Sequence, residues 1–155
     1  MLKPKQLRQA LTNSLPLLQN NPDNLHLFID HGRIVSTLAP SLSFEYQYQL
    51  NVVITDYAGD ADLIMVPVLA WLRENQPDIM ATEHKRQTGF TFKVDVLSDT
   101  LSDISIDLQL TERVIVKEDN GVLHVDHVPE PTMPGDITRP WALYLHSELV
   151  SRWHE

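Results

Sequence analysis

From Phe44 to Ile54 every second residue is apolar, and this stretch constrains the fold more than any other. Phe44, Tyr46, Tyr48, Leu50, Val52 and Ile54 fall in one register, while Glu45, Gln47, Gln49, Asn51 and Thr55 fall in the other. Side chains alternate across a strand, so a period of two sustained this long predicts a strand over residues 43–56 with one wet face and one buried face. A buried face that long needs other strands beside it and a layer of helix over it.

The flanking segments supply both. Leu7, Ala10, Leu11, Leu15 and Leu18 recur at helical spacing after Pro4, predicting a helix over residues 4–19 that Pro16 bends or ends early and that Asn20-Asn21-Pro22 stops. Leu25, Leu27 and Ile29 alternate with His26, Phe28 and Asp30, and His31-Gly32 reads as a tight turn, so two strands near 25–30 and 33–38 are expected. Leu63, Ile64, Val66, Val68, Leu69, Trp71 and Leu72 predict a core helix ended by Asn75-Gln76-Pro77, with Pro67 as a kink or as a late first turn. Phe90, Phe92, Val94 and Val96 predict a strand near 89–97. Ile104, Ile106, Leu108 and Leu110 begin another that keeps its parity through Val114 and Val116.

That last strand, over 103–117, reaches near ~50 Å at about 3.3 Å per residue, more than a small domain's sheet usually spans. Thr111-Glu112-Arg113 marks the expected edge of the core. Asn120-Gly121 closes a hairpin, because both residues tolerate the left-handed region of a type I′ turn, and residues 114–127 are expected to project as an arm. Pro129, Pro131, Pro134 and Gly135 form a linker. Trp141, Tyr144, Leu145, Leu149 and Trp153 then fall at roughly helical spacing, predicting a short amphipathic helix. The expected architecture is α+β: a mainly antiparallel or mixed sheet covered by two principal helices, with a projecting hairpin arm. Residues 1–128 form the domain, and 129–155 the Pro-rich linker and aromatic helix.

Composition narrows the function classes. The chain has 12 Lys and Arg against 21 Asp and Glu, a net charge of −9, with no basic stripe to neutralise phosphates, so neither specific nucleic-acid binding nor membrane binding is expected. It has no cysteine, which removes disulfides, thiolate metal sites and Cys nucleophiles. No apolar signal-peptide core follows Lys3, Lys5 and Arg8, so secretion is not expected. The apolar run Leu63–Leu72 is about half the ~20 residues of a membrane span.

No phosphate-cradling glycine motif, HExxH or GxSxG is present. His124 and Asp126 share a strand face, a plausible pair of metal ligands, but no second cluster completes a site and a solvated arm accounts for them. Asp56, Asp60 and Asp62 lack calcium-loop spacing; a carboxylate capping the following helix accounts for Asp60 or Asp62. His84-Lys85-Arg86 reads as a solvated loop. Neither an enzyme activity, a cofactor nor a metal is expected. The residues expected to make contacts are Val114, Val116, Leu123 and Val125 on the arm, with Trp141 and Trp153 beyond the linker.

The wording of SFEYQYQLNVVITDYAGDADLIMVPVLAWLRENQPDIM, GFTFKVDVL and DISIDLQLTERVIVKEDNG resembles the tail completion protein R family of temperate, contractile-tailed phages, over roughly residues 1–128. Asp60–Pro77 and Asp103–Val116 are the most specific stretches. The resemblance implies a virion tail component, assembled in the host cytoplasm, that ends tube or sheath growth and prepares the tail to join the head. By analogy with tail terminators it implies a hexameric, homo-oligomeric ring whose partners are tail tube or sheath and head–tail joining proteins. A small metal-dependent enzyme, and a binding module or assembly chaperone that never enters the particle, are the alternatives.

Overall fold

A computed structural model describes residues 1–38, 40–130, 140–145 and 148–154, the last two stretches by backbone alone. The chain opens with α1 (Lys3–Ser14) and α2 (Pro16–Asn20) and then enters β1 (Leu25–Ser36) and β2 (Phe44–Tyr57). Next come α3 (Asp62–Asn75), α4 (Glu83–Thr88), β3 (Phe90–Val96), β4 (Ser102–Asp119) and β5 (Val122–Val128). A separate two-stranded ribbon follows, β6 (Pro140–Leu145) with β7 (Glu148–His154).

The main sheet has the order β1-β2-β4-β3, with β5 on β4, and every pairing in it is antiparallel. The fold is α+β, with α1 and α3 as the two principal helices over one face of the sheet. The alternation from Phe44 works as expected: Tyr48, Leu50, Val52 and Ile54 are buried, and they stand opposite Leu110, Leu108, Ile106 and Ile104 of β4, all buried as well. Leu7, Leu11 and Leu18 from the first two helices and Ile64, Val68, Trp71 and Leu72 from α3 close over this face. Burying one such side chain stabilises by about 1.5–3 kcal/mol, so these two stripes and the paired strands dominate the core.

Pro16 does end the first helix. The α-helical run stops at Ser14, Leu15 is extended at φ −116° and ψ 109°, and Pro16 starts the next helix where its missing N–H costs nothing. Pro67, by contrast, sits inside α3, and the helix runs through it from Asp62 to Asn75. Burial of Ile64, Val68, Trp71 and Leu72 on one side offsets the lost hydrogen bond, while Val66 and Leu69 remain exposed on the other.

Two sequence expectations are corrected. Residues 25–38 do not form a hairpin: β1 is a single strand along β2, and the His31-Gly32 turn is a β-bulge in which those two residues stand against Tyr48 alone. His31 adopts φ 51°, the left-handed conformation that bulges and tight turns both use, and β2 is long enough to pair with β1 on either side of it. The segment after Pro140 is not a helix either. It folds as β6 and β7, with Trp141 opposite Trp153 in the register. Every residue of Trp141–Leu145 is aromatic or aliphatic, so the spacing cannot tell helix from strand, and aromatic and β-branched residues such as Trp141, Tyr144, Val150 and Trp153 favour strands. The linker from Pro131 to Gly135 lies outside the described residues.

Candidate assembly surface

β4 is 18 residues long and outruns its neighbour, because β2 pairs with it only as far as Phe44 opposite Val114. Beyond that point the only strand beside β4 is β5, from Arg113 opposite Val128 to Asp119 opposite Val122, while on the other side the Val116 N–H donates to Ser43 Oγ at 3.0 Å and its carbonyl accepts from Ser41 Oγ at 3.3 Å; Asn120 and Gly121 turn the chain at φ 51° and 79°. This is the expected arm, with its base where the polar triplet Thr111-Glu112-Arg113 placed the edge of the core.

The arm's side chains divide as the pairing dictates. Val116, Leu123 and Val125 share the face that continues the core, while Ile115, Val122, His124 and Asp126 share the other. Leu123 is 53% and Val125 59% exposed, and Val116 is half-buried. Val114 is only 2% exposed, so the chain covers it and it is not available as a contact. Of Trp141 and Trp153 only the backbone register is described.

Between β3 and β5 the edge of β4 would lie open, and the Gly89 carbonyl with the Gln76 and Lys3 side chains fills the gap. The Gln109 N–H donates to the Gly89 carbonyl at 2.9 Å, and the Thr111 N–H donates to Gln76 Oε1 at 3.1 Å. The Thr111 carbonyl accepts from Lys3 Nζ at 2.6 Å. Lys3 Nζ also donates to Gln76 Oε1 at 2.5 Å and to Glu130 Oε1 at 3.0 Å, so a buried ammonium has three acceptors, one of them a carboxylate. Gln76 itself is buried and gives its amide protons to Asp78 Oδ1 at 2.6 Å and Thr111 Oγ1 at 3.0 Å.

One residue along, the inward-pointing Glu112 is also buried. Its Oε1 accepts from the Leu2 N–H at 2.6 Å and the Lys3 N–H at 3.4 Å, and its Oε2 accepts from the Tyr48 hydroxyl at 2.7 Å. Burial, together with the Glu112 hydrogen bond and charge, pushes the Tyr48 hydroxyl far above the ordinary tyrosine value. Burial acts to raise the Asp78 carboxyl, but hydrogen bonds from Lys85 and Gln76 and the charges of Lys85 and Lys3 outweigh it and hold Asp78 below its usual value. A buried charge survives only when paired and hydrogen-bonded, and these contacts tie the start of α1, the end of α3 and the base of the arm into one unit.

The other candidate clusters resolve into ordinary structure. His124 and Asp126 do share a face, as the alternation requires, with His127 on the opposite one, and no group of three potential metal ligands is found among the described residues. Asp60 Oδ1 accepts from the Asp62 N–H at 2.9 Å just before α3, although the cap residue itself is Ala61 and has no side-chain cap, and the Asp56 N–H donates to Asp103 Oδ1 at 2.9 Å. Lys85 pairs with Asp78 at 2.9 Å on α4, the short helix in place of the expected loop at His84-Lys85-Arg86. Among the described residues no helix is long and apolar enough to cross a membrane.

Sequence reasoning passed over two features. The first is the Lys3–Gln76–Glu112 cluster, whose one signal in the sequence is a polar Glu112 at the parity of β4 that Leu110 and Val114 fill with apolar side chains. The second is a shallow groove of about 450 Å³ lined by Met1, Ile29, Gly32, Arg33, Ile34 and Tyr46, made by the bulge in β1 and invisible while β1 was taken for a hairpin.

Residues 1–131 match the family model described as P2 phage tail completion protein R (GpR). The chain is 57% identical over 155 residues, all of both chains, to the tail completion protein R of Escherichia phage P2. No solved structure matches it. On a match that spans the helices, the sheet and the arm alike, the chain belongs to the P2 phage tail completion protein R family, structural proteins of the phage tail and not enzymes.

Proposed function

We propose that this protein acts in the virion tail, where copies of it join as a homo-oligomeric ring that stops tube or sheath growth and presents a surface for the head. Its partners on this reading are other copies of itself, the tail tube or sheath, and head–tail joining proteins, met first in the host cytoplasm. The observation that carries the reading is the arm: a ribbon with Leu123 and Val125 exposed, extending past the last residue that β2 supports. Two-stranded ribbons are marginal in water alone, and an apolar one on a rigid base is suited to being covered by another chain. The net charge of −9 further suits a ring through which DNA passes without adhering.

The test is a shortened arm. Removing residues 116–119 and 122–125 lets Asn120-Gly121 join Ile115 to Asp126, which are already opposite each other, and keeps the alternation of hydrogen-bonded pairs. The expected variant is a folded monomer that forms no ring and does not complete tails assembled without the protein. A variant that still forms rings and yields head-joined particles refutes the role of the arm. A full-length protein that completes tails yet is absent from purified virions by mass spectrometry supports the assembly-chaperone alternative instead.

A further inference from the structure

At the root of the arm the inward-facing stripes of β4 and β5 each carry one polar residue. On β4 the stripe runs Leu110, Glu112, Val114, and on β5 it runs Leu123, Val125, His127, with His127 opposite Val114. A polar side chain at such a position needs a partner. The two interruptions meet: His127 Nδ1 stands 3.7 Å from Glu112 Oε1. That is longer than a hydrogen bond, and His127 Nδ1, shielded from water, has no hydrogen-bond partner among the described residues.

Glu112 takes its hydrogen bonds from neutral groups, the Leu2 and Lys3 N–H groups and the Tyr48 hydroxyl of β2. The Lys3 ammonium is engaged elsewhere, with Gln76, the Thr111 carbonyl and Glu130. Among the described residues His127 is therefore the one basic side chain in ion-pair range of the buried carboxylate. Both residues line a cavity of about 360 Å³, and its charged wall comes from each element around it: Lys3 from α1, Glu74 from α3, Glu112 from β4 and Glu130 just past β5. Lys3 and Glu130 offset each other at 3.0 Å, so a positive charge on His127 would face Glu112 and Glu74 with no unpaired cation opposing it. Imidazole is the side chain that changes charge between about pH 5 and 8.

We propose that His127 is a pH-sensitive latch at the root of the arm: with a proton on the ring, Nδ1–H closes the gap to Glu112 and fastens β5 to the end of the sheet. Without that proton, Nδ1 keeps no partner and the root rests on its backbone ladder. The imidazolium has the carboxylate only while the root is closed, so protonation favours the closed form. The contribution of the latch is present on the acid side of the imidazole's titration and is lost as the pH rises through it. The latch acts within a single copy and does not depend on the ring reading.

Amide hydrogen exchange of the full chain, expressed as protection relative to the intrinsic rate at each pH, tests it. Between about pH 8 and about pH 5.5, protection of the Arg113–Val116 and Val125–Val128 amides is expected to rise about tenfold, and that of Leu50–Ile54 in the core much less. His127→Gln, at a side chain 27% exposed, is expected to remove the rise while the protein stays folded. His124→Gln, on the outer face of the same strand, is expected to keep it. Glu112→Gln removes the charge that the latch closes on and is expected to remove the rise as well. Protection at the root that does not rise on acidification overturns the proposal. So does a rise that persists in His127→Gln, or one that His124→Gln loses equally.

Discussion

Replacing Glu112 by alanine removes the acceptor of three donors at once: the Leu2 N–H, the Lys3 N–H and the Tyr48 hydroxyl. Glu112 is 5% exposed and Tyr48 3%, so the tyrosine hydroxyl has little access to water as a substitute partner. A hydrogen bond to a charged group contributes about 1.5–3 kcal/mol, and the donor left behind adds a desolvation cost. Losses within one network are not additive, and breaking a buried charged cluster from one side typically costs about 3–5 kcal/mol. That figure is the expectation here. For a chain of this length it corresponds to a fall in Tm of roughly 10 °C.

Urea unfolding followed by far-UV circular dichroism measures it, with two variants as internal controls. Tyr48→Phe removes one bond and leaves Glu112 its backbone donors, so it is expected to cost about 1.5–3 kcal/mol. Glu112→Gln keeps the shape and one acceptor oxygen and is expected to fall between that and the alanine variant. A Glu112→Ala protein within about 0.5 kcal/mol of the parent, the range of an ordinary surface substitution, would refute the claim that this carboxylate ties the start of α1 to the base of the arm.

Alkaline pH is expected to destabilise the protein through Tyr48 and Tyr57, the latter pushed up to about 12 by burial and the Asp60 charge. Both hydroxyls have folded-state values above the unfolded value near ~10, so their contribution is intact below pH ~10 and is lost as the pH rises through the folded values; urea midpoints that stay flat from pH 9 to 12 would count against it. Gly121→Val puts a β-branched side chain at φ 79° and is expected to cost the hairpin about 1–2 kcal/mol, seen as faster amide exchange along Val122–Asp126 while the core amides hold. Leu108→Ala, at a position with no exposed surface between β2 and β3, is expected to cost about 2–5 kcal/mol whether or not the arm is intact; equal loss of assembly in this variant and in the shortened-arm variant at matched folded fraction would blur the distinction drawn between core and arm.

The elements with long, unambiguous periodicity were legible in the sequence. The strand from Phe44, both principal helices, the strand from Ile104 and the Asn120-Gly121 turn all stand where their patterns put them. β1 was not, because His31-Gly32 satisfies a bulge as well as a turn, and only the length of β2 beside it decides between them. The C-terminal segment failed for a related reason: Trp141, Leu145, Leu149 and Trp153 fit a helical spacing, but a run apolar at nearly every position carries no period that distinguishes helix from strand. At the assembly surface the arm was legible from an overlong strand. That Val114 belongs to the core was not, because where β2 stops pairing with β4 is a matter of register between segments far apart in sequence.

The continuity of β4 has a mechanical meaning. One unbroken strand runs from Ser102 under the helices to Asp119 near the arm's tip, held by β2 on one side from Phe44 to Tyr57 and by β3 on the other. A pull on the tip along the strand acts on these ladders in shear, so many hydrogen bonds must fail together instead of one after another. The arm is then a handle rooted through the middle of the sheet, and in the proposed assembly a load would strain the arm's contacts with other chains before it drew the handle out.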